Sequence, residues 1–376
     1  MAPFSMFLAL EPQLRGVWTL SHTDSGWISA AYYAGYMVAV PVLVSLTDRR
    51  DPRAVWLAST TLAAVAALGF GLTAQGVWSA SLFQFIAGAG LAGTYMPGLK
   101  LIADRIDGTL HPRLVAFYTT SFTLGASASF YAIGQMQEAF AWRTTVAAAA
   151  AGPATAWLLI RAGLAPSPPP HKRERSARPW HTVMRSPDAM RYVVAYACHT
   201  WELFAVRAWL VPLFVFVQQW HGRAAFASAA TLAALISLVG VPASLAGAEL
   251  SAHVDRRRLI MTVMLLSAAA SVVFGLTASS PWPVVLATGV VHSVFVSADS
   301  AALTSGLVAV SPPESRGTAM AVYSTAGFAA ASAGSFAIGA MLDLLGGQSM
   351  LSWAIAFGII GAPNLVGAVV LVRART

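Results

Sequence analysis

The chain has 376 residues, 57% of them hydrophobic and 10% charged, against roughly 45–50% and 25% in an ordinary soluble protein. So few charges could not cover a water-soluble fold of this size, so the apolar excess belongs against lipid, and the length holds about a dozen helices of roughly 20 residues. The lone Cys198 excludes a disulfide framework and a cysteine-based metal site.

Apolar runs recur along the whole chain. Residues 1–10 are apolar but reach only about 15 Å as a helix. They lack the basic start and small-residue cleavage site of a signal peptide. We count this stub as span 1 and read it as the outer half of a helix whose beginning lies upstream of Met1. The polar stretch 11–24 is then an external loop. Spans 2 to 6 are expected at 26–46, 54–75, 77–103, 112–136 and 140–160. Spans 7 to 12 follow at 189–217, 224–250, 259–277, 283–310, 317–342 and 349–372. Hydrocarbon offers no partner to a backbone amide, so these runs are helices. They are too long and too uniformly apolar for the alternating strands of a barrel.

The basic residues give direction. Alternate loops and the tail carry 18 of the 23 Lys and Arg residues, whereas the opposite loops hold only Arg15, Arg143 and Arg223. Cationic loops stay in the cytoplasm, which places the carboxyl terminus there. The net charge of +8 is therefore a topology signal, and nucleic-acid binding falls away. Residues 164–188 form the one long loop, rich in proline and arginine, and read as a cytoplasmic linker. It separates a 1–163 bundle from a 189–376 bundle. The halves share a repeat: FGLTAQGVW at 70–78 returns as FGLTASSPW at 274–282, with six of nine residues identical. Each copy closes the third helix of its half. Repeated halves are the plan of many secondary transporters, with the site between them.

On these features the chain resembles the major facilitator superfamily. Leu46, Asp48, Arg49 and Arg53 match its loop 2–3 motif in part; Val44 and Asp51 stand where two glycines are usual. Gln84 stands at the arginine position of span 4, and span 5 lacks the Gly-Pro motif associated with drug antiporters. PPESRG at 312–317 looks like the family's span 10–11 junction. Some similarity extends to cyanate- and nitrate-porter-like branches, without a nitrate signature. The resemblance implies an all-α membrane protein with a 6+6 helix bundle that works by alternating access. It also implies a charge latch at Asp48, Arg49 and Arg53, and seams of span 2 with 11 and span 5 with 8.

A charge within a bilayer costs at least about 2.5–3.5 kcal/mol, so each one needs a reason. Span 7 carries His199, Glu202 and Arg207; span 10 carries His292 and Asp299; Lys100 lies near the inner end of span 4. His199 and Glu202 are three apart, share a face and are expected to pair. Arg207 points elsewhere, toward another helix or a solute. Structural ion pairing and a role in solute binding or proton coupling both fit these residues. The stem of Lys100 can snorkel to the interface, and GTYMPGLK around it lacks the Gly-Lys-Ser/Thr ending of a phosphate loop. Tyr32, Tyr33, Tyr36, Tyr118 and Tyr131 could donate into a cavity or anchor at the interface. Small residues at four-residue spacing, including Gly35, Gly125, Ser244, Gly327, Ala331 and Ser335, mark close helix approaches. We assign them to the seams between the halves.

The sequence thus predicts a monomeric secondary transporter of a small polar or anionic solute in a bacterial inner membrane. Glu202, Asp299 and the histidines, facing one cavity, are its candidates for proton coupling. A non-transporting receptor on the same scaffold is the alternative. No cofactor or metal is expected, and no HExxH or GxSxG motif suggests an enzyme.

Overall fold

The computed structural model describes residues 1–47, 49–103, 111–166, 180–222, 226–312, 315–347 and 349–372. Among them there are helices and no strands, as the demand for internal backbone pairing in lipid requires. The helices group into six spans and six, and nine of them are long and apolar enough to cross a membrane.

Span 1 differs from expectation. It is one helix, Ala2–Trp18, about 25 Å long, and it runs straight through the supposed external loop. The polar letters misled because Glu11 is paired and buried. Its carboxylate lies 3.3 Å from Arg15, one turn on, at 1% residue exposure. Pro12 does not end the helix. Phe4, Phe7 and Leu10 are buried, Phe4 against Phe204 of the other half, and span 1 touches spans 5 and 7.

Spans 2 to 5 are His22–Leu46, Pro52–Thr73, Val77–Ala103 and His111–Ala139. Ser21 and Asp24 cap span 2 reciprocally, each side chain taking the other's backbone amide. Asp51 caps span 3 through the Arg53 amide, and Asp255 caps span 9 through the Arg258 amide, so the Asp-Arg loops of the two halves do the same local job. Span 6 is broken, Trp142–Ala148 then Ala151–Gly163. Arg143 at its start donates to the carbonyls of Gly71, Leu72 and Ala74, which closes the end of span 3.

A short helix, Trp180–Met184, precedes span 7, Pro187–His221. Spans 8 and 9 are Ala229–His253 and Arg256–Leu276. Span 10 breaks at Asp299, between Trp282–Ala298 and Ser300–Val310. Span 11 is Arg316–Leu344, and span 12 is Met350–Gly361 continued by Pro363–Val372.

Span 2 packs along span 11, and span 5 along span 8. Part of the small-residue stripes serves contacts other than the ones assigned to it. A methyl on Gly35 would collide with the Phe85 backbone of span 4, one on Gly125 with Met1, and one on Gly327 with Tyr196 of span 7. These three glycines therefore admit neighbours from their own half. Ser244 is half-buried, and Gly240 and Gly247 beside it on span 8 admit span 10. The 2–11 seam does use the span 11 stripe, at Ser335 and Gly339, against span 2 residues outside the span 2 stripe. A methyl on Gly26 would stand 2.8 Å from the Ser335 carbonyl oxygen, Gly339 admits the His22 backbone, and the Ser332 hydroxyl donates to the Ala30 carbonyl at 2.9 Å. Ser335 and Ala331 are fully buried, and the Ser335 carbonyl also accepts from the Trp209 indole at 3.0 Å. The stripe arithmetic found close approaches but could not say which neighbour each small face admits.

Candidate functional site

Span 7 is the most enclosed helix of the bundle and carries three charged groups through its middle. The structure pairs them differently from their spacing. His199 and Glu202 share a face, yet each reaches a partner on span 10. His199 Nδ1 lies 2.9 Å from Asp299 Oδ1, an ion-pair contact without hydrogen-bond alignment, and its Nε2 lies 3.1 Å from the Ser300 hydroxyl. The break in span 10 at Asp299 sets the carboxylate and that hydroxyl side by side against the imidazole. Behind it the Tyr196 ring stacks on His199 and, at 3.6 Å between centroids, on Tyr323.

Glu202 has no exposed surface. Its Oε1 lies 3.1 Å from His292 Nε2, and its Oε2 accepts from the Ser267 hydroxyl at 2.7 Å and from the Asn364 amide. Spans 7, 9, 10 and 12 thus converge on one carboxylate, inside the second half. The expectation that Glu202, His199 and Asp299 face one cavity is corrected: there are two separate histidine–carboxylate pairs. His292 and Asp299, expected on one stripe, belong to different pairs. Sequence reasoning missed Asn364 and Ser267, although Asn364 is the one amide in an otherwise apolar span.

Arg207 turns the other way, toward the first half. The residue is 6% exposed. Its Nη2 reaches the Thr123 hydroxyl of span 5 at the long distance of 3.5 Å, and its Nη1 has no partner among the described residues. No carboxylate pairs with it among those residues. Its guanidinium lies 5.6 Å from the Phe122 ring centre and 5.5 Å from that of Phe204. Phe4, Tyr33, Phe122, Phe204 and Phe328 form a packed cluster of rings contributed by spans 1, 2, 5, 7 and 11, with neighbouring centres 4.9 to 6.3 Å apart. The Tyr33 hydroxyl is buried there and also without a partner among the described residues. A crevice of about 20 Å³, room for one water, separates Arg207 from His292 and is walled by Ser237, Ser293 and Ser297.

Lys100 stands apart, half-buried in the last turn of span 4. In the expected latch, Asp48 lies outside the described residues and Arg49 is exposed. Arg53 is buried and donates to the Arg161 carbonyl at the end of span 6, so it ties two helices of one half. A tie between the halves occurs at the opposite end of the bundle. Asp343, ending span 11, accepts from the His22 amide at 3.0 Å and the Thr23 amide at 2.7 Å; it also meets His22 Nδ1 at 2.9 Å and the Thr23 hydroxyl at 2.5 Å. Arg15 lies 3.0 Å from the other His22 nitrogen.

The fold is that of solved transporters. A bacterial homologue of the human lysosomal transporter Spinster, in an inward-facing and occupied conformation, superposes with a TM-score of 0.73 at 15% identity, covering 99% of this chain and 91% of that one. The same homologue's inward-facing, unoccupied structure gives 0.75 at 14% identity with the same coverage. No curated protein matches the chain. The sequence model of the Major Facilitator Superfamily matches residues 1–271 and 208–376, which together make the whole chain. Twelve helical spans in a 6+6 bundle and a family match from end to end lead to one conclusion: the chain is a multi-pass membrane transporter of the major facilitator superfamily.

Proposed function

We propose that the chain is a secondary active transporter that carries a small polar or anionic solute by alternating access, with Arg207 as the solute's counter-charge and protons as the coupling ion. The observation that carries this reading is the unpartnered Nη1 of Arg207, buried where the two halves meet. Burying a guanidinium without a carboxylate costs several kcal/mol, and a bound anion offsets that cost during each cycle. The two histidine–carboxylate pairs support coupling. Histidine changes charge near neutral pH, and each pair can hold one proton away from water. The basic loops favour a cytoplasmic carboxyl terminus in a bacterial inner membrane, with the bundles 1–163 and 189–376 moving about the 164–188 linker as a monomer.

Purified protein in liposomes, loaded with a pH-sensitive dye and offered a panel of radiolabelled small anions, tests this directly. At least one anion should enter faster with the wild-type chain than with Arg207→Gln, and its entry should move protons. Saturable binding without any flux across the panel would favour the receptor alternative.

A further inference from the structure

The mid-membrane charges can be matched one against another. Asp299 faces His199 and Glu202 faces His292, each pair closed within the second half. Among the described residues Arg207 is left as the mid-span cation with no ion pair. The ring cluster around it therefore holds a guanidinium with no ion-pair partner among those residues. It also holds two unused polar groups, Arg207 Nη1 and the Tyr33 hydroxyl. Both border the Phe204 ring, whose centre lies 4.9 Å from that of the Tyr33 ring and 5.5 Å from the Arg207 guanidinium. The rest of the wall is aromatic: Phe4, Phe122, Phe204 and Phe328.

We propose that this ring cluster, parting as the two halves move, selects a monoanionic carboxylate with an apolar, ring-sized body. This rests on the transporter reading above and narrows it. A carboxylate accepts from Arg207 Nη1 with one oxygen and from the Tyr33 hydroxyl with the other, which satisfies both orphaned donors. The body then lies between rings of the two halves, where apolar surface leaves water and ring edges meet ring faces. Three other classes of solute fit worse. A dianion such as sulfate brings a second negative charge that nothing here balances, in a setting where an unpaired charge is heavily penalised. A sugar brings several hydroxyls, each of which would give up its water for a ring face. An organic cation would meet Arg207 itself.

The cluster belongs to both halves, Phe4, Tyr33 and Phe122 on one side and Phe204, Arg207 and Phe328 on the other. A ligand that bridges them therefore stabilises the closed arrangement, so binding and conformational change are linked.

Calorimetric titration of the purified full chain, with its native Arg207 and at neutral pH, tests the assignment with five probes: benzoate, cyclohexanecarboxylate, sulfate, glucose and phenethylammonium. Benzoate and cyclohexanecarboxylate should bind, and the other three should give no heat above dilution. Tyr33→Phe, which keeps the ring, should weaken benzoate roughly tenfold, the worth of one hydrogen bond to a charged group. Arg207→Gln should abolish benzoate binding. If that variant does not fold, the wild-type panel and Tyr33→Phe still decide. Binding of sulfate or glucose in place of the carboxylates would overturn the ligand class and leave the transporter reading intact. Equal affinity of benzoate for Arg207→Gln, or no binding by any probe, would also overturn it. The transporter reading itself would be lost only if the liposome flux above were absent as well.

Discussion

Glu202 takes partners from three other spans at once, and each partner has a separate consequence. His292→Ala takes away its imidazole partner and leaves the buried carboxyl held by Ser267 and Asn364 alone. Breaking a buried pair from one side costs about 3–5 kcal/mol, so this variant should melt well below the parent in detergent. Glu202→Gln removes the charge together with the need for a cation and keeps an oxygen for the Ser267 hydroxyl, so its melting temperature should fall less. The reverse order would show that His292 does not serve Glu202. These partnerships were only half legible in the sequence. A charge in an apolar run announces itself, and every charged residue singled out on spans 7 and 10 is buried in the structure. Its partner is set by helix rotation and by the break at Asp299, which spacing along one helix does not contain. His199 and Glu202 share a face and still do not pair, because both carboxylate–imidazole contacts run between helices.

Elements meet where small residues permit, and the seam of spans 2 and 11 depends on a polar tie as well as on packing. Asp343 accepts from two backbone amides at the start of span 2 and meets the His22 ring and the Thr23 hydroxyl. The amides are the otherwise unsatisfied donors of a helix start, and the carboxylate also suits the positive end of the helix dipole. Asp343→Ala should loosen that end of the bundle. With Cys198 replaced by serine, spin labels at Thr19 and Leu344 should show a longer and broader distance distribution than in the parent. An unchanged distribution would mean that Gly26, Gly339 and Ser332 hold the seam unaided. Ala331→Trp places a large ring at a fully buried site of span 11 and should block cycling while membrane insertion persists; normal transport would contradict this. Gly35→Leu should instead reduce folded yield, since its side chain would strike the span 4 backbone. The difference between Gly35 and Gly26, both small and both on span 2, lies in about two and a half turns of helix. A periodic stripe cannot resolve which neighbour comes at each turn.

At the scale of the whole molecule the reading from sequence and the structure agree on what composition and repetition govern. Apolar run length placed the spans to within a few residues, and the repeated FGLTA segments end equivalent spans with Phe70 and Phe274 both fully buried. Polarity failed at span 1, where Glu11 and Arg15 neutralise each other inside a helix and so look like a loop on paper. The function proposed above divides labour along span 7: Arg207 would meet the solute where the halves join, while Glu202, five residues earlier on the same helix, would hold the proton inside the second half. About 20 Å³ of space lies between Arg207 and His292. Such an arrangement lets solute exchange run without proton movement. The most direct test compares solute counterflow with pH-gradient-driven accumulation in the same liposomes, for the parent, Arg207→Gln and Glu202→Gln. Arg207→Gln should lose both activities, and Glu202→Gln should keep counterflow but no longer accumulate solute. A well-folded Glu202→Gln variant that accumulates solute as the parent does would contradict this division.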